Sequence, residues 1–351
     1  MSTESTPDPS PSTLASLVTS PSALDLIRSL YAHPGPFTTV YLQTWPLLHD
    51  SQRGLNQRWD RLGPALSAQG SPAVALDAIA ARLRLPAPDD TAGISVIAAA
   101  DGHTVVDHAL EPPRTDFTHF DTLPYVAPLL EWHQHRLAHL VVTIDHSGAD
   151  IVAFGTDHRT PLAANLTGSS QDLASDLVTQ VEAMDARLVV IAGEDDSCRR
   201  LAGTLAGRMP TTCRVVVDEH KNPDEVAEAT VRYIFDTTAR TTVAYLREFR
   251  FLASHGDAVE GTGRTIEGLN EGTADLLLIH DDPDDNRRVW VGDDQRRLSA
   301  TQSPDSGQEA RFVDAAIRSA VAQGAAVHII PTTGPDGPDD NVAIVNRDPT
   351  P

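Results

Sequence analysis

The sequence predicts a mixed α/β chain built from more than one domain, and three features of its patterning predict it. Two β-rich runs, Ile94–Ala100 and His103–Leu110, flank Asp101-Gly102, a dipeptide suited to a type I′ turn and therefore to a β-hairpin. From Leu137 to Val217, hairpin strands give way to alternating helical and strand patterns, the order expected of a mixed sheet covered by helices. From Pro223 the pattern is helical for about 30 residues and is followed by the Gly-rich stretch Gly256–Gly263, which reads as a domain boundary.

The elements follow in order. Met1 to about Pro21 is rich in Ser, Thr and Pro, with too few large apolar residues to offset the entropy of ordering, and is expected to be a disordered tail. Ser22 is a suitable N-cap for a short helix whose apolar residues Leu26, Ile27, Leu30 and Tyr31 share one face, and Pro34-Gly35-Pro36 ends it. Phe37–Gln43 is β-branched and aromatic enough for a strand, and Ser51–Leu85 holds two helical segments before the hairpin. This first domain, 22–132, is α+β. A central domain, 133–256, opens with strands Leu137–Ile144 and Asp150–Phe154 around His146-Ser147-Gly148. Leu173, Leu177, Val178, Val181 and Met184 then repeat at helical spacing behind Ser169-Ser170-Gln171-Asp172, which resembles a capping box. Strand Leu188–Ala192, helix Cys198–Arg208 and strand Arg214–Val217 lead to the long helix, with Pro223 at its first position and Asp224 and Glu225 favouring the dipole of its first turn. The last domain, 257–351, alternates helix Arg264–Glu271, strands Asp275–His280 and Val289–Val291, helix Gln308–Ala322, and strands Ala326–Ile330 and Asn341–Asn346, a small α/β sandwich.

Composition narrows the function classes. The 351 residues carry 40% hydrophobic residues and a formal net charge of −22, a globular chain that repels polyanions at long range, so bulk coating of DNA or RNA is excluded and any nucleic-acid contact must be local. No apolar run spans a bilayer and no secretory signal is visible, so no membrane partner and a cytoplasmic location are expected. Cys198 and Cys213 form neither a disulfide framework nor a metal-spaced pair. Basic residues are arginines except for Lys221, and a guanidinium fork binds phosphate bidentately. There is no phosphate loop, dinucleotide fingerprint, nucleophile elbow or zinc-spaced cysteine set, so no cofactor is expected.

Three segments occur in order across the first half: Gly35-Pro36-Phe37-Thr38-Thr39-Val40-Tyr41, Leu123-Pro124-Tyr125-Val126-Ala127-Pro128-Leu129-Leu130, and Ile144-Asp145-His146-Ser147-Gly148-Ala149-Asp150. Together they resemble a bacterial family related to archaeal and eukaryotic peptide-release factors, which includes ribosome-hibernation factors of the Balon type. The resemblance implies a three-domain architecture with an RNase H-like central domain and a small C-terminal α/β sandwich, and as partners the ribosome or ribosomal RNA and a translation elongation factor. It also implies that a working release factor would carry a Gly-Gly-Gln loop after the first central hairpin. Here that interval reads Gly155-Thr156-Asp157-His158-Arg159-Thr160-Pro161-Leu162, then Asn165 through Gln171, with no such triplet. Gln171 is expected in the first turn of a helix, a capping position. The ending, Ile329-Ile330-Pro331 through Asp340-Asn341-Val342-Ala343-Ile344-Val345, follows the family only loosely.

Several local constellations have residue types that bear on chemistry. Asp145, Glu182 and Asp195 or Asp196 could supply carboxylates to a two-metal nuclease site, but strand-end carboxylates are expected in so acidic a chain. His133, His135 and His139 lack the glutamate of a metalloprotease helix, and Asp282-Pro283-Asp284-Asp285-Asn286 places Arg287 where a calcium loop needs glycine. Glu228, Arg232, Asp236 and Arg240 at i, i+4 steps read as an exposed salt-bridge ladder. Arg247 and Arg250 continue nearly the same face, and Arg287-Arg288 and Arg296-Arg297 bracket the strand at Trp290. These six arginines are the candidate contacts to RNA or ribosomal protein. The expectation is a non-catalytic ribosome-binding factor acting under stress. The alternatives are a repurposed scaffold that binds a protein or oligomerises, and a hydrolase of RNA or peptidyl-tRNA.

Overall fold

The computed structural model describes residues 21–44, 51–88, 91–109, 111–145, 148–156, 162–166, 170–292, 297–301, 307–331 and 337–346. Residues 1–20 of the expected N-terminal tail, His146 and Ser147, residues 157–161 and 167–169 of the 155–171 interval, and Arg296 lie outside them. Within the described residues no helix is long and apolar enough to cross a membrane. The chain forms two compact units, one made of 1–133 together with 245–351, the other of 134–244.

The first unit begins with helix α1 (Pro21–Tyr31) and strand β1 (Phe37–Gln43). Helices α2 (Ser51–Ala68) and α3 (Ala73–Leu83) follow, then strands β2 (Gly93–Ala98), β3 (Thr104–Ala109) and β4 (Phe117–Asp121), and helix α4 (Ala127–Gln134). The four strands form an antiparallel sheet in the order β3-β2-β1-β4, with β1 paired on both edges and nearly all of it buried. Leu55, Leu66, Ile79 and Leu83 of α2 and α3 pack on one face with Val40, Leu42 and Val96. Sequence periodicity missed β4, whose Phe-Thr-His-Phe-Asp is half-buried throughout and carries no aliphatic alternation. The β2–β3 connection also departs from the expected type I′ turn. Only Gly102 has positive φ, Gly102 N–H donates to Ala99 O at 3.0 Å, and the Asp101 carboxylate accepts the His103 N–H at 3.0 Å. That side-chain bond holds Asp101 outside the left-handed region, so the turn comprises Ala99–Gly102 with a left-handed glycine at its end.

The second unit holds β5 (His139–Ile144), β6 (Ala149–Phe154), β7 (Leu162–Leu166), α5 (Ser170–Met184), β8 (Leu188–Gly193), α6 (Asp195–Leu205), β9 (Arg214–Val217) and the first part of α7 (Pro223–His255). Its sheet runs β7-β6-β5-β8-β9, the first three strands antiparallel and the last two parallel to β5. Leu177 and Val181 of α5 and Leu201 and Leu205 of α6 bury one set of sheet residues, while Val226 and Ile234 of α7 pack with Leu188, Val190 and Ala192. Alternate β8 residues thus serve two cores, which is why the run Leu188–Ala192 is apolar throughout. α7 starts where proline and the acidic turn place it, and Asn222 Oδ1 accepts the Asp224 N–H at 3.0 Å.

The remaining elements belong to the first unit: the end of α7, β10 (Ala258–Glu260), α8 (Thr262–Glu271), β11 (Ala274–His280), β12 (Arg288–Val291), β13 (Leu298–Ser299), β14 (Gln308–Arg311), α9 (Phe312–Gln323), β15 (Ala326–Ile330) and β16 (Val342–Asn346). They build a mixed sheet, β10-β16-β11-β15, and a three-stranded sheet, β13-β12-β14. Tyr245 and Phe249 of α7 pack against Leu276, Leu278, Ile330 and Val345. The segments expected as a first domain, 22–132, and a third, 257–351, share one cluster of buried residues that includes Ile27, Tyr41, Tyr125, Leu277, Phe312 and Ile329. The stretch expected as a boundary contains β10, which pairs with β16 (Ala258↔Val345), and the units part inside α7 between Ala244 and Tyr245. The helix expected from Gln308 starts only at Phe312. Gln308–Arg311 is strand because Arg288 and Arg311 are ladder partners and the Arg311 side chain is drawn onto Asp281.

Candidate functional site

The first two motif segments meet. The Tyr41 hydroxyl donates to Tyr125 O at 2.9 Å, the Tyr125 N–H donates to Thr39 Oγ1 at 3.3 Å, and the rings of Tyr41 and Tyr125 lie 6.4 Å apart edge to face. Gly35 is required by close approach: a Cβ there would stand 2.5 Å from Thr122 O. The third segment belongs to the other unit and closes the β5–β6 hairpin, where Asp145 N–H donates to Gly148 O at 3.0 Å and Asp145 Oδ1 accepts the Gly148 N–H at 3.1 Å.

Tyr125 also anchors a buried charge cluster. Its hydroxyl donates to Asp281 Oδ2 at 2.5 Å, and the Arg311 guanidinium lies 4.5 Å from its ring centre. Arg311, 6% exposed at its side chain, donates to Asp281 Oδ1 at 2.5 Å and Asp282 O at 2.9 Å, and pairs with Asp314 at 3.5 Å. Burial works against its charge, but Asp314 and Asp281 raise its pKa further still. Asp314 is 1% exposed, and its Oδ1 has no hydrogen-bond partner among the described residues. Burial pushes the Asp314 carboxyl up to about 7, overcoming the downward pull of Arg311 and His119. Burial also raises the Tyr125 phenol, with Asp281 adding to it. Sequence reading missed this cluster; Asp281 and Arg311 stand 30 residues apart, and their only local signal is a charge at each end of a β-rich run.

The six candidate arginines are in different circumstances. Arg287 is pinned by its own unit: Nε and Nη2 donate to the Asp285 carboxylate, Nη1 to Thr262 Oγ1 at 2.6 Å and Asp340 O at 3.0 Å, and the guanidinium lies 4.8 Å from the Phe312 ring centre. Arg288 forks onto Asp121 of β4 at 2.5 and 3.2 Å and donates to Glu309 O at 3.2 Å. Burial would raise the Asp121 carboxyl, yet hydrogen bonds from His119 and Arg288 hold it well below the usual carboxylate range. Arg250 binds both Glu260 oxygens at 3.1 and 3.0 Å and also Gly337 O. Arg297 is exposed, as is Arg247, which has no hydrogen bond or ion pair among the described residues. Arg296 lies outside the described residues. The ladder on α7 is present as Glu228–Arg232 and Asp236–Arg240, both 3.3 Å, and Arg214 joins Asp236 at 2.6 Å.

The other constellations disperse. Among the described residues no three His, Cys, Asp or Glu side chains are grouped to hold a metal. His133 pairs with Asp107 at 3.1 Å, and His139 Nδ1 meets Leu137 O at 2.8 Å. In the aspartate-rich loop Asp282 Oδ1 accepts the Asp284 N–H at 2.9 Å and Asp285 Oδ1 the Arg287 N–H at 3.0 Å, so the carboxylates brace backbone. Gln171 is exposed in the first turn of α5. Cys198 and Cys213 are both buried, and burial raises both thiols, Cys213 to about 11.

No family model matches the sequence. The chain is 24% identical over 347 residues to the uncharacterized protein Rv2629 of Mycobacterium tuberculosis, covering 86% of this chain and 91% of that protein. Among solved structures it is similar to Pelota of Archaeoglobus fulgidus, at 14% identity over 72% of this chain and 79% of that one, with a TM-score of 0.38. It is also similar to Dom34 of Saccharomyces cerevisiae, described as a translation termination-like factor of RNA quality control that interacts with Hbs1. That match is 9% identical over 74% of this chain and 79% of that one, with a TM-score of 0.41. At these identities and scores the similarities fix no activity for this chain.

Proposed function

We propose that this chain is a non-catalytic, translation-related factor that binds the ribosome by occupancy, in a hibernation or stress role, with a translation elongation factor as a companion. The observation that carries the proposal is the motif set resembling the release-factor-like family, Gly35–Tyr41 with Leu123–Leu130, whose two tyrosines tie the first sheet to the Asp281–Arg311 cluster. The sheet order β7-β6-β5-β8-β9, with three antiparallel strands followed by two parallel ones, supports reading the second unit as an RNase H-like domain. The sequence has no Gly-Gly-Gln triplet, and Gln171 stands on a helical turn, which supports occupancy over hydrolysis.

The intramolecular bonds of Arg287, Arg288 and Arg250 decide which variants test the proposal. Reversing their charge would strand Asp285, Asp121 or Glu260 and weaken the fold, so a loss of binding would have two causes. Arg247 is exposed and has no hydrogen bond or ion pair among the described residues, so it is the candidate that tests cleanly. Purified protein should co-sediment saturably with 70S ribosomes at low salt and less at moderate salt, and Arg247→Glu should weaken binding with an unchanged melting temperature. Absence of co-sedimentation at both salts would refute the proposal.

A further inference from the structure

The sheet of the second unit ends at β9, which pairs only with β8 among the described residues. The Arg214 N–H donates to Arg187 O at 2.9 Å and the Asp218 N–H to Ile191 O at 2.8 Å. Alternate residues of a parallel strand bond to one neighbour, so Val216 also turns its N–H and C=O to β8, while Val215 and Val217 turn theirs to the open edge. Among the described residues no backbone hydrogen bond closes that edge. Val217 is 38% exposed, and Val215 and Val216 are half-buried. Sheet edges are commonly blunted by lysine, proline, a bulge or an inward charge, and this valine run carries none of them.

Two features say what fits the edge. The valine run reads the same in both directions. An antiparallel copy registered on Val216 sets each Val215 opposite a Val217 in a hydrogen-bonded pair, with Val216 facing Val216 between them. β-branched residues placed opposite one another stabilise a sheet. The second feature is the charge row on α7, the helix that packs with Val216, Leu188 and Val190. The Tyr233 hydroxyl donates to Asp218 Oδ2 at 2.8 Å and Arg214 meets Asp236 at 2.6 Å, so the middle of β9 lies level with residues 233–236 of α7. Glu228, Arg232, Asp236 and Arg240 are exposed and alternate in sign about that level. Laid antiparallel against itself, the row meets opposite charge at every step: Glu228 faces Arg240 of the second copy, and Arg232 faces Asp236 of the second copy. The pairs within one helix, both 3.3 Å, leave room for this, because each guanidinium has five N–H donors and exposed i, i+4 pairs are weak.

We propose that the β9 edge is a self-association site, where a second copy of this chain adds its own β9 antiparallel across a two-fold axis at Val216 and continues the five-stranded sheet. An axis perpendicular to the sheet keeps both α7 helices on one face, running antiparallel, and their charge rows fix the register. The strand has four residues, and two copies of formal charge −22 repel, so association depends on concentration and needs that repulsion screened. The inference goes beyond ribosome binding and is measured with no ribosome present.

The test is sedimentation velocity of the full-length protein at about 0.15 M salt, where the Debye length is about 8 Å. Between about 1 and 100 µM the one-chain boundary should give way to a two-chain boundary. Val217→Pro removes an N–H that the chain's own ladder does not use, so the melting temperature should hold while association weakens about tenfold, the loss counting once in each copy. Glu228→Arg/Arg232→Glu keeps the net charge and an i, i+4 pair on α7, but like signs then meet across the axis, and association should weaken several-fold. A one-chain boundary at every concentration, or a dimer that either variant leaves as tight as wild type, would overturn the proposal.

Discussion

Asp314→Asn gives a sharp test of the buried charge cluster. In the native chain the Asp314 carboxyl lies at about 7, against 3.8 for an ordinary aspartate, because burial outweighs the nearby Arg311. The native state therefore keeps a proton between about pH 4 and 7 where the unfolded chain has lost it, so stability falls as pH rises through that window and levels off above about 7. A displacement of about three pH units, at ~1.36 kcal/mol each, corresponds to ~4 kcal/mol. Asparagine has no charge to bury, and Arg311 keeps Asp281 at 2.5 Å and Asp282 O at 2.9 Å. Wild type and variant should be equally stable near pH 4, and the variant should gain steadily to an advantage of roughly 2–4 kcal/mol at pH 8. Taking the difference between the two proteins cancels the titration of groups remote from Asp314.

The assay is urea unfolding followed by tryptophan fluorescence at several pH values. Trp59, Trp132 and Trp290 lie in the first unit and none of the four tryptophans falls within 134–244, so the signal reports the unit that holds Asp314 even if the second unfolds separately. A variant less stable than wild type at pH 8 would refute the reasoning, since it would mean that the charged Arg311–Asp314 pair stabilises the fold. A stability gap independent of pH would refute it equally.

Other outcomes follow from single contacts. Tyr41→Phe removes the buried hydroxyl bonded to Tyr125 O and should cost ~1 kcal/mol in the same fluorescence assay. Gly35→Ala drives a Cβ against Thr122 O and should lower the melting temperature of the first unit by several degrees, while hydrogen exchange of β5 and β8 stays unchanged. Arg288→Ala breaks the fork onto Asp121 and should destabilise the first unit above about pH 4, where Asp121 is ionised in both states, with the loss shrinking as acid protonates it. Native protein should react slowly with a thiol reagent at pH 8 and release both thiols at once in urea, because Cys198 and Cys213 are buried with raised pKa values.

Periodicity located most elements where the structure has them. Strand β1, helices α2 and α3, the Leu188 strand and the whole of α7 combine apolar spacing with a stop signal at their ends. What stayed hidden depends on long-range pairing. β4 is half-buried on both faces, β10 is three residues long and exists through β16, and β14 looks helical until Arg288 and Arg311 are known to be partners. The candidate arginines were legible as a basic patch, but a pattern of charges does not say which are already neutralised. Asp121 lies 167 residues from Arg288, and nothing local to either predicts their bond. The Tyr125 cluster was legible only as a motif, and its chemistry appears once Asp281, Arg311 and Asp314 are brought to the same ring.

These pairings bear on how so acidic a chain could meet a ribosome. Arg287, Arg288 and Arg250 spend their donors on Asp285, Asp121 and Glu260, which leaves fewer guanidiniums for phosphate than the sequence suggests. A net charge of −22 opposes approach to RNA within about a Debye length, whereas a basic protein segment is drawn in by the same field. If ribosome binding occurs, contact through protein is thus the electrostatically easier route. Salt alone does not separate the routes, because both weaken as it rises. A variant does: a phosphate contact through Arg247 is weakened in Arg247→Glu, while the docking of a basic protein segment on the acidic surface is not.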